Sequence, residues 1–300
     1  MEQSADKNIQ AFLDYLKFQK RYSRHTLISY HTDLESFFAF LHKLYDSPAL
    51  PDIRPAMVRS WLAMLKSEEN SSRTINRKIS SLKTFFKYQL RQGLITVSPM
   101  TTVVSPKQNK RLPEFVDKRD TEVLFTQMEF PNDWAGLTDQ LILQLLYSTG
   151  MRQAELIGLK ETQVDFAKDS IKVLGKGGKE RIIPVSKELM NNIRIYMQEK
   201  KKQLAEADNV YLLVRGNGQT LYPKYVYNSV KKYLSQVTTI GKRSPHILRH
   251  TFATHLTNNG ADLNAVKELL GHSSLAATQV YTHNTIEKLK DIHRKAHPKA

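Results

Sequence analysis

Residues 98–113, SPMTTVVSPKQNKRLP, interrupt the chain with three prolines, several small polar residues, three cations and little apolar periodicity. A segment of this composition between two strongly patterned regions reads as a linker, so the chain is expected to fold as two domains. Its 300 residues are enough for two cores of ordinary size. The expected boundaries are an N-terminal domain over 1–98, a linker over 99–117 and a C-terminal domain over 118–300.

Before the linker the pattern is helical throughout. Ile9, Phe12, Leu13 and Leu16 stand at i, i+3, i+4 and i+7, and Tyr30, Leu34, Phe37, Phe38 and Leu41 repeat the pattern. A third helix is predicted from about Pro55, a good first-turn residue, with Val58, Trp61, Leu62 and Leu65 on its apolar face. A fourth is predicted from about Ser72 to Gly93. On its wheel Ile75, Ile79, Leu82 and Phe86 fall within about 60° of arc, opposite Arg73, Arg77, Lys83, Lys87 and Arg91. The cationic stripe is a candidate phosphate-binding surface, although a solvated helix face carries the same residue types.

The C-terminal part is mixed. A helix over GLTDQLILQLLYSTG precedes two strand-like runs, SIKVL and RIIPV, joined by GKGGKE with the glycines of a hairpin turn. Helices are predicted at KELMNNIRIYMQEKK, YPKYVYNSVKKYLSQV, SPHILRHTFATHLTNNG and DLNAVKELLG, and in the closing segments. The fold class is therefore mainly α in two domains, the second with a small antiparallel sheet.

A formal net charge of +16, shared about equally between the two parts, favours a polyanionic partner, most simply nucleic acid. No run of about eighteen apolar residues appears and the first ten residues lack a signal-peptide pattern, so a soluble, cytoplasmic chain with no membrane partner is expected. The absence of cysteine leaves chemistry to oxygen and nitrogen groups.

Several weak signals have compatible chemistry. In STGMRQAELIGL, Arg152 follows Gly150, a helix terminator, and Glu155 stands one turn later; a surface ion pair is the plain alternative. In SPHILRHTFATHL, Ser244 is placed to cap, Pro245 suits the first turn, and His246 and Arg249 share a face near a helix N-terminus. His246, His250 and His255 have the wrong spacing for a metal cluster, so no metal is expected. GKGGKE lacks the first glycine and the Ser or Thr of a P-loop, which leaves a solvated basic turn or a lysine delivered to a substrate. In ELLGHSSLAATQVYTH, Gly271 is a natural helix end, and a new helix to about Thr282 would let His272 sit in the corner and face Tyr281. Arg152, Lys176, His246, Arg249, His272 and Tyr281 together are the parts needed for metal-free phosphoryl transfer through a phosphotyrosine.

The set STGMRQAEL, GKGGKERIIPV, HILRHTFATHL, LLGHSSLAATQVYTH and HPKA, with YSRHTLISYHTDLESFFAF and INRKISSLKTFFKYQLRQGLI before it, resembles the tyrosine recombinases of the lambda-integrase family, the bacterial Xer recombinases in particular. The resemblance spans nearly the whole chain. It implies a four-helix, SAM-like core-binding domain followed by a catalytic domain of the DNA breaking-rejoining fold. By it Tyr281 is the nucleophile, Arg152 and Arg249 clamp the scissile phosphate, and His246 and His272 hydrogen-bond it or assist proton transfer. Lys176 is the general acid and Glu155 supports the arrangement.

No cofactor is implied. The implied partner is double-stranded DNA with a specific recombination site, held by a homo- or hetero-tetramer on two such sites, with a tail from about residue 284 packing on a neighbouring protomer. A second recombinase and a DNA translocase are open as further partners. Chromosome or plasmid dimer resolution is the expected role, with a mobile-element integrase or invertase and a non-catalytic DNA-binding regulator as the alternatives. A type IB topoisomerase shares the chemistry but acts alone.

Overall fold

A computed structural model of the chain describes residues 2–107, 114–175, 178, 180–204, 210–271, 295, 296 and 298. It divides into two compact units, Met1–Arg111 and Leu112–Ala300.

In the first unit, α1 (Glu2–Asp14) runs into a turn of π-helix over Tyr15–Gln19. Helix α2 (Arg24–Tyr45) starts at Ser23, whose hydroxyl accepts from the Thr26 amide at 3.3 Å. Helices α3 (Pro55–Ser67) and α4 (Ser72–Arg91) follow, with Pro55 in the first turn of one and Ser71 capping the other. The apolar stripes of the four meet in an aromatic core: the Phe37 ring stands edge-on to Trp61 at 5.1 Å, and Phe12 to Phe85 at 5.4 Å.

Two findings differ from the sequence expectation. Residues 99–107, read as linker, close the first core, with Met100 and Val103 buried and the Pro106 carbonyl accepting from Asn76 at 2.9 Å. Prolines bar a regular helix there but not the burial of apolar side chains spaced three apart. Behind the α4 stripe lies a buried charge cluster that helical periodicity does not show. Asp33 of α2 is wholly buried, accepts from Ser81 at 2.7 Å and from Arg77, and has the Lys78 ammonium 3.4 Å away.

The second unit is built around α6 (Trp134–Thr149), whose apolar residues point to all sides, as expected for a helix with neighbours all round. Against it pack α8 (Lys187–Gln203), α9 (Pro223–Val237) and α10 (Pro245–Asn258). α5 (Lys118–Thr126), α7 (Gln153–Ile157) and α11 (Leu263–Leu270) complete the described helices. The sheet is antiparallel, in the order β1 (Val164–Asp165), β2 (Ser170–Leu174), β3 (Glu180–Pro184), with Ile171 opposite Ile183 and Val173 opposite Arg181. α5, α7 and β1 have no counterpart in the sequence reading. Five residues of helix or two of strand are too short to display a period, and the nine of α5 bury only Thr121 and Leu124, too few to mark one.

Candidate active site

Helix α6 ends at Gly150, which adopts φ +58 as its cap, and α11 ends the same way at Gly271 with φ +63. Both chain reversals lie at one place, because Arg249 on α10 reaches both. Its Nη1 donates to the Gly150 carbonyl at 2.5 Å and its Nη2 to the Leu270 carbonyl at 2.7 Å. Helix C-termini carry partial negative charge on unpaired carbonyls, so a guanidinium is well matched to this seat. Arg249 is only 6% exposed. Burial pushes its pKa down to about 10, with the nearby Arg152 charge adding to the effect and Glu155 opposing it, so the side chain remains cationic near neutrality.

Arg152 is the residue from which α7 starts. Its backbone amide donates to Glu155 Oε2 at 2.7 Å, its Nη1 to Glu155 Oε1 at 2.8 Å, and its Nη2 to the Gly271 carbonyl at 3.3 Å. The Glu155 carboxylate is buried, with the side chain 6% exposed, so the sequence alternative of a surface ion pair does not apply. Burial alone would raise its pKa. The hydrogen bonds from Arg181 and Arg152 outweigh that and hold it below the ordinary glutamate value.

Arg181 is a further residue of this cluster, one without a role in the sequence-based expectation. It stands on β3, 5% exposed, and its Nη1 and Nη2 meet Glu155 Oε1 and Oε2 at 3.0 and 2.7 Å while Nε donates to the Leu269 carbonyl at 2.9 Å. A signal was present: Arg181 and Ile183 are two apart on one strand, so the face that buries Ile183 also buries Arg181, and a buried cation requires a buried anion. The outcome is that three successive carbonyls at the end of α11, those of Leu269, Leu270 and Gly271, each receive one arginine, Arg181, Arg249 and Arg152 respectively.

The other candidates fall as follows. His246 is exposed in the first turn of α10, one turn before Arg249. Ser244 occupies the cap position, but its side chain makes no capping bond, a correction to the sequence reading; Pro245 has no amide hydrogen and lessens the demand for one. His255 is buried and its Nδ1 lies 3.0 Å from the Tyr147 hydroxyl, so it is a core group. Lys176, His272 and Tyr281, with the corner and helix expected around the last two, lie outside the described residues. Ile286, Leu289 and Ile292 of the tail do too, whereas Ala296 is buried within its own chain's second unit, its carbonyl accepting from Asn259 at 2.6 Å.

In the first unit Arg73, Lys83 and Lys87 are exposed on α4. Arg77 is tied to Asp33 and, at 2.8 Å, to the Ser29 hydroxyl, and Arg91 donates to the Tyr15 hydroxyl at 3.3 Å. The stripe is thus partly organised by the fold.

A model described as the phage integrase family matches residues 114–288, and one described as the phage integrase N-terminal SAM-like domain matches residues 9–93. The chain is 42% identical over 299 residues to a tyrosine recombinase XerC of Staphylococcus saprophyticus, covering 98% of each chain. It is 36% identical to a tyrosine recombinase XerC of Chlorobaculum parvum, covering 97% of this chain and 94% of that one. Its fold is similar to that of XerH site-specific recombinase bound to a palindromic difH substrate, with TM-score 0.72, 23% identity, and 89% of this chain and 78% of that chain covered. It is also similar to Tn1549 transposon integrase in complex with transposon right-end DNA, with TM-score 0.71, 19% identity, and 95% and 98% covered.

Proposed function

Because this chain belongs to the phage integrase family and is a Xer-type tyrosine site-specific recombinase, we propose that it breaks and rejoins duplex DNA at a specific site through a covalent 3′-phosphotyrosyl link. The Tyr281 phenol oxygen bonds to the scissile phosphorus as the bond from phosphorus to the 5′ oxygen breaks. The phenol proton passes to the imidazole of His246 or His272, and Lys176 protonates the departing 5′ oxygen. A 5′ hydroxyl from the second duplex reverses the sequence, and two such exchanges pass through a Holliday junction.

The observation that carries this reading is the convergence of Arg152 and Arg249 on adjacent carbonyls, directly before His272. Two guanidiniums fixed side by side can stabilise the charge that develops on the non-bridging phosphate oxygens, and each such donor is worth on the order of 10²–10³ in rate. Both are anchored before DNA arrives, which lowers the cost of ordering them in the transition state. No step needs a metal or a cofactor. The exposed cations of α4 meet the DNA backbone, and four protomers, of one or two kinds, act on two sites in the cytoplasm to resolve chromosome or plasmid dimers. Among the described residues no helix is long and apolar enough to cross a membrane.

The test is selection of bound sites from genomic DNA, then covalent capture on the selected site. Wild-type protein should form a denaturation-resistant adduct in excess chelator, and Tyr281→Phe should bind equally well and form none. An adduct that persists in Tyr281→Phe, or capture that requires Mg²⁺, overturns the mechanism. Selected sites at the ends of a mobile element would favour the integrase reading over dimer resolution. Binding without any adduct would favour the regulator.

A further inference from the structure

We infer that Arg181 is a positioning residue of the strand-transfer centre, one that fixes Arg152 through Glu155 and the end of α11 through the Leu269 carbonyl. The inference rests on the recombinase reading above. Arg181 touches none of the reacting atoms assigned there, so its effect is on where other groups stand.

The geometry supports this in three ways. First, the Arg181 fork takes both oxygens of Glu155, at 3.0 and 2.7 Å, and the same two oxygens receive the Arg152 side chain and backbone amide at 2.8 and 2.7 Å. One carboxylate therefore holds two arginines, and removing Arg181 frees it to rotate and carry Arg152 with it. Second, the remaining Arg181 donor, Nε, holds Leu269, so the same side chain fixes the helix end that also anchors Arg249 and Arg152. Third, the fit leaves little slack: a Cβ added at Gly271 would lie 3.2 Å from Arg181 Cδ and Nη1.

Arg181 also lies on β3, which begins four residues after Lys176 in the sequence. Through it the paired strands β2 and β3 are tied to the two arginines proposed for the phosphate. A lysine could supply the charge but not the fork, so it could not span Glu155 and Leu269 together.

The charged groups around Glu155 among the described residues are Arg152 from its own helix, Arg181 from β3 and Arg249 from α10. Without Arg181 the burial of Glu155 is opposed mainly by Arg152, so its carboxyl protonates at higher pH than in the wild type. Protonation would release the Arg152 side chain. A positioning role thus predicts an acid-side loss of rate that a general weakening of the fold would not produce.

The experiment measures single-turnover covalent capture of site DNA between about pH 8 and pH 5.5 for wild type, Arg181→Gln, Arg181→Lys, Glu155→Gln and the Arg181→Gln/Glu155→Gln double variant, with DNA affinity by gel shift. Arg181→Gln should capture DNA on the order of 10²-fold more slowly at near wild-type affinity, the loss expected when a reacting group is displaced by about an ångström. That deficit should grow as pH falls. In the double variant, which has no carboxyl to titrate, the ratio to Glu155→Gln should be independent of pH. Arg181→Lys should be intermediate, and it serves as the test should Arg181→Gln fail to fold. Wild-type rates in either Arg181 variant, or a deficit in Arg181→Gln that does not change with pH, would overturn the inference. Failure of the wild type itself to form an adduct would instead overturn the recombinase mechanism.

Discussion

Arg249 on α10 and Arg152 at the start of α7, far apart in sequence, donate to adjacent carbonyls, those of Leu270 and Gly271, at 2.7 and 3.3 Å. The end of α11 is therefore a template for the two guanidiniums, and several outcomes can be checked against that arrangement.

Arg249→Lys keeps the charge but cannot reach the Gly150 and Leu270 carbonyls at once. One buried acceptor is left unpaired, at a cost of about 1–3 kcal/mol. The urea midpoint should fall accordingly, and covalent capture should slow by about 10²-fold or more through the lost donor geometry. An unchanged midpoint would mean the two carbonyl bonds contribute nothing to the fold.

Gly150→Ala combines backbone strain at φ +58 with a Cβ only 2.4 Å from Phe252 Cδ1. The left-handed conformation costs roughly 1–2 kcal/mol with a Cβ present and the clash roughly 1–3 more. Gly93→Ala is the control, because φ is +70 there but nothing lies within 4 Å of the added atom. Thermal unfolding should show the larger loss at Gly150, and equal losses would refute the packing argument.

Asp33→Ala strips the counter-charge from Lys78, whose side chain is 10% exposed, and also removes the acceptor for Arg77 and Ser81. Breaking such a buried pair costs about 3–5 kcal/mol. Adding Lys78→Met should recover much of the loss in denaturant unfolding of the intact chain. If the double variant is no better than Asp33→Ala alone, the ion pair is not the source of the effect.

Glu155 gives a pH dependence with a definite sign. Its folded pKa is lowered, so its contribution to stability is fully present above the ordinary glutamate value of about 4.3 and is lost as pH falls through the folded value. The stability gap between wild type and Glu155→Gln should be constant from neutrality to about pH 5 and narrow on further acidification. Urea titrations at a series of pH values measure it, and a gap that widens toward acid would contradict the lowered pKa.

If Lys176 is the general acid, Lys176→Ala should slow cleavage of ordinary DNA by about 10²–10⁴. A sulfur in place of the bridging 5′ oxygen makes a leaving group that needs little protonation, and it should largely restore that variant while doing little for Arg249→Ala. Rescue of Lys179→Ala instead would move the role to Lys179.

The amino-acid sequence by itself determined the helices of the first unit, the glycine ends at Gly150 and Gly271, and the β2–β3 hairpin strands. Each is written in residues near one another along the chain, through a period of 3.6 or 2 or a cap. It also made Arg152, Glu155 and Arg249 candidates by residue type and spacing. What the tertiary structure decided was which groups each charged side chain meets. Arg181 could be placed on the buried face by alternation, but Glu155, which neutralises it, comes from a helix 26 residues earlier and Leu269 from one 88 residues later. Likewise the period of α4 shows its cationic stripe, yet that Lys78 is buried against Asp33 follows only from the packing of α4 on α2. A buried charge must find its opposite across the core, and that pairing is set by how helices and strands pack, which no local pattern encodes.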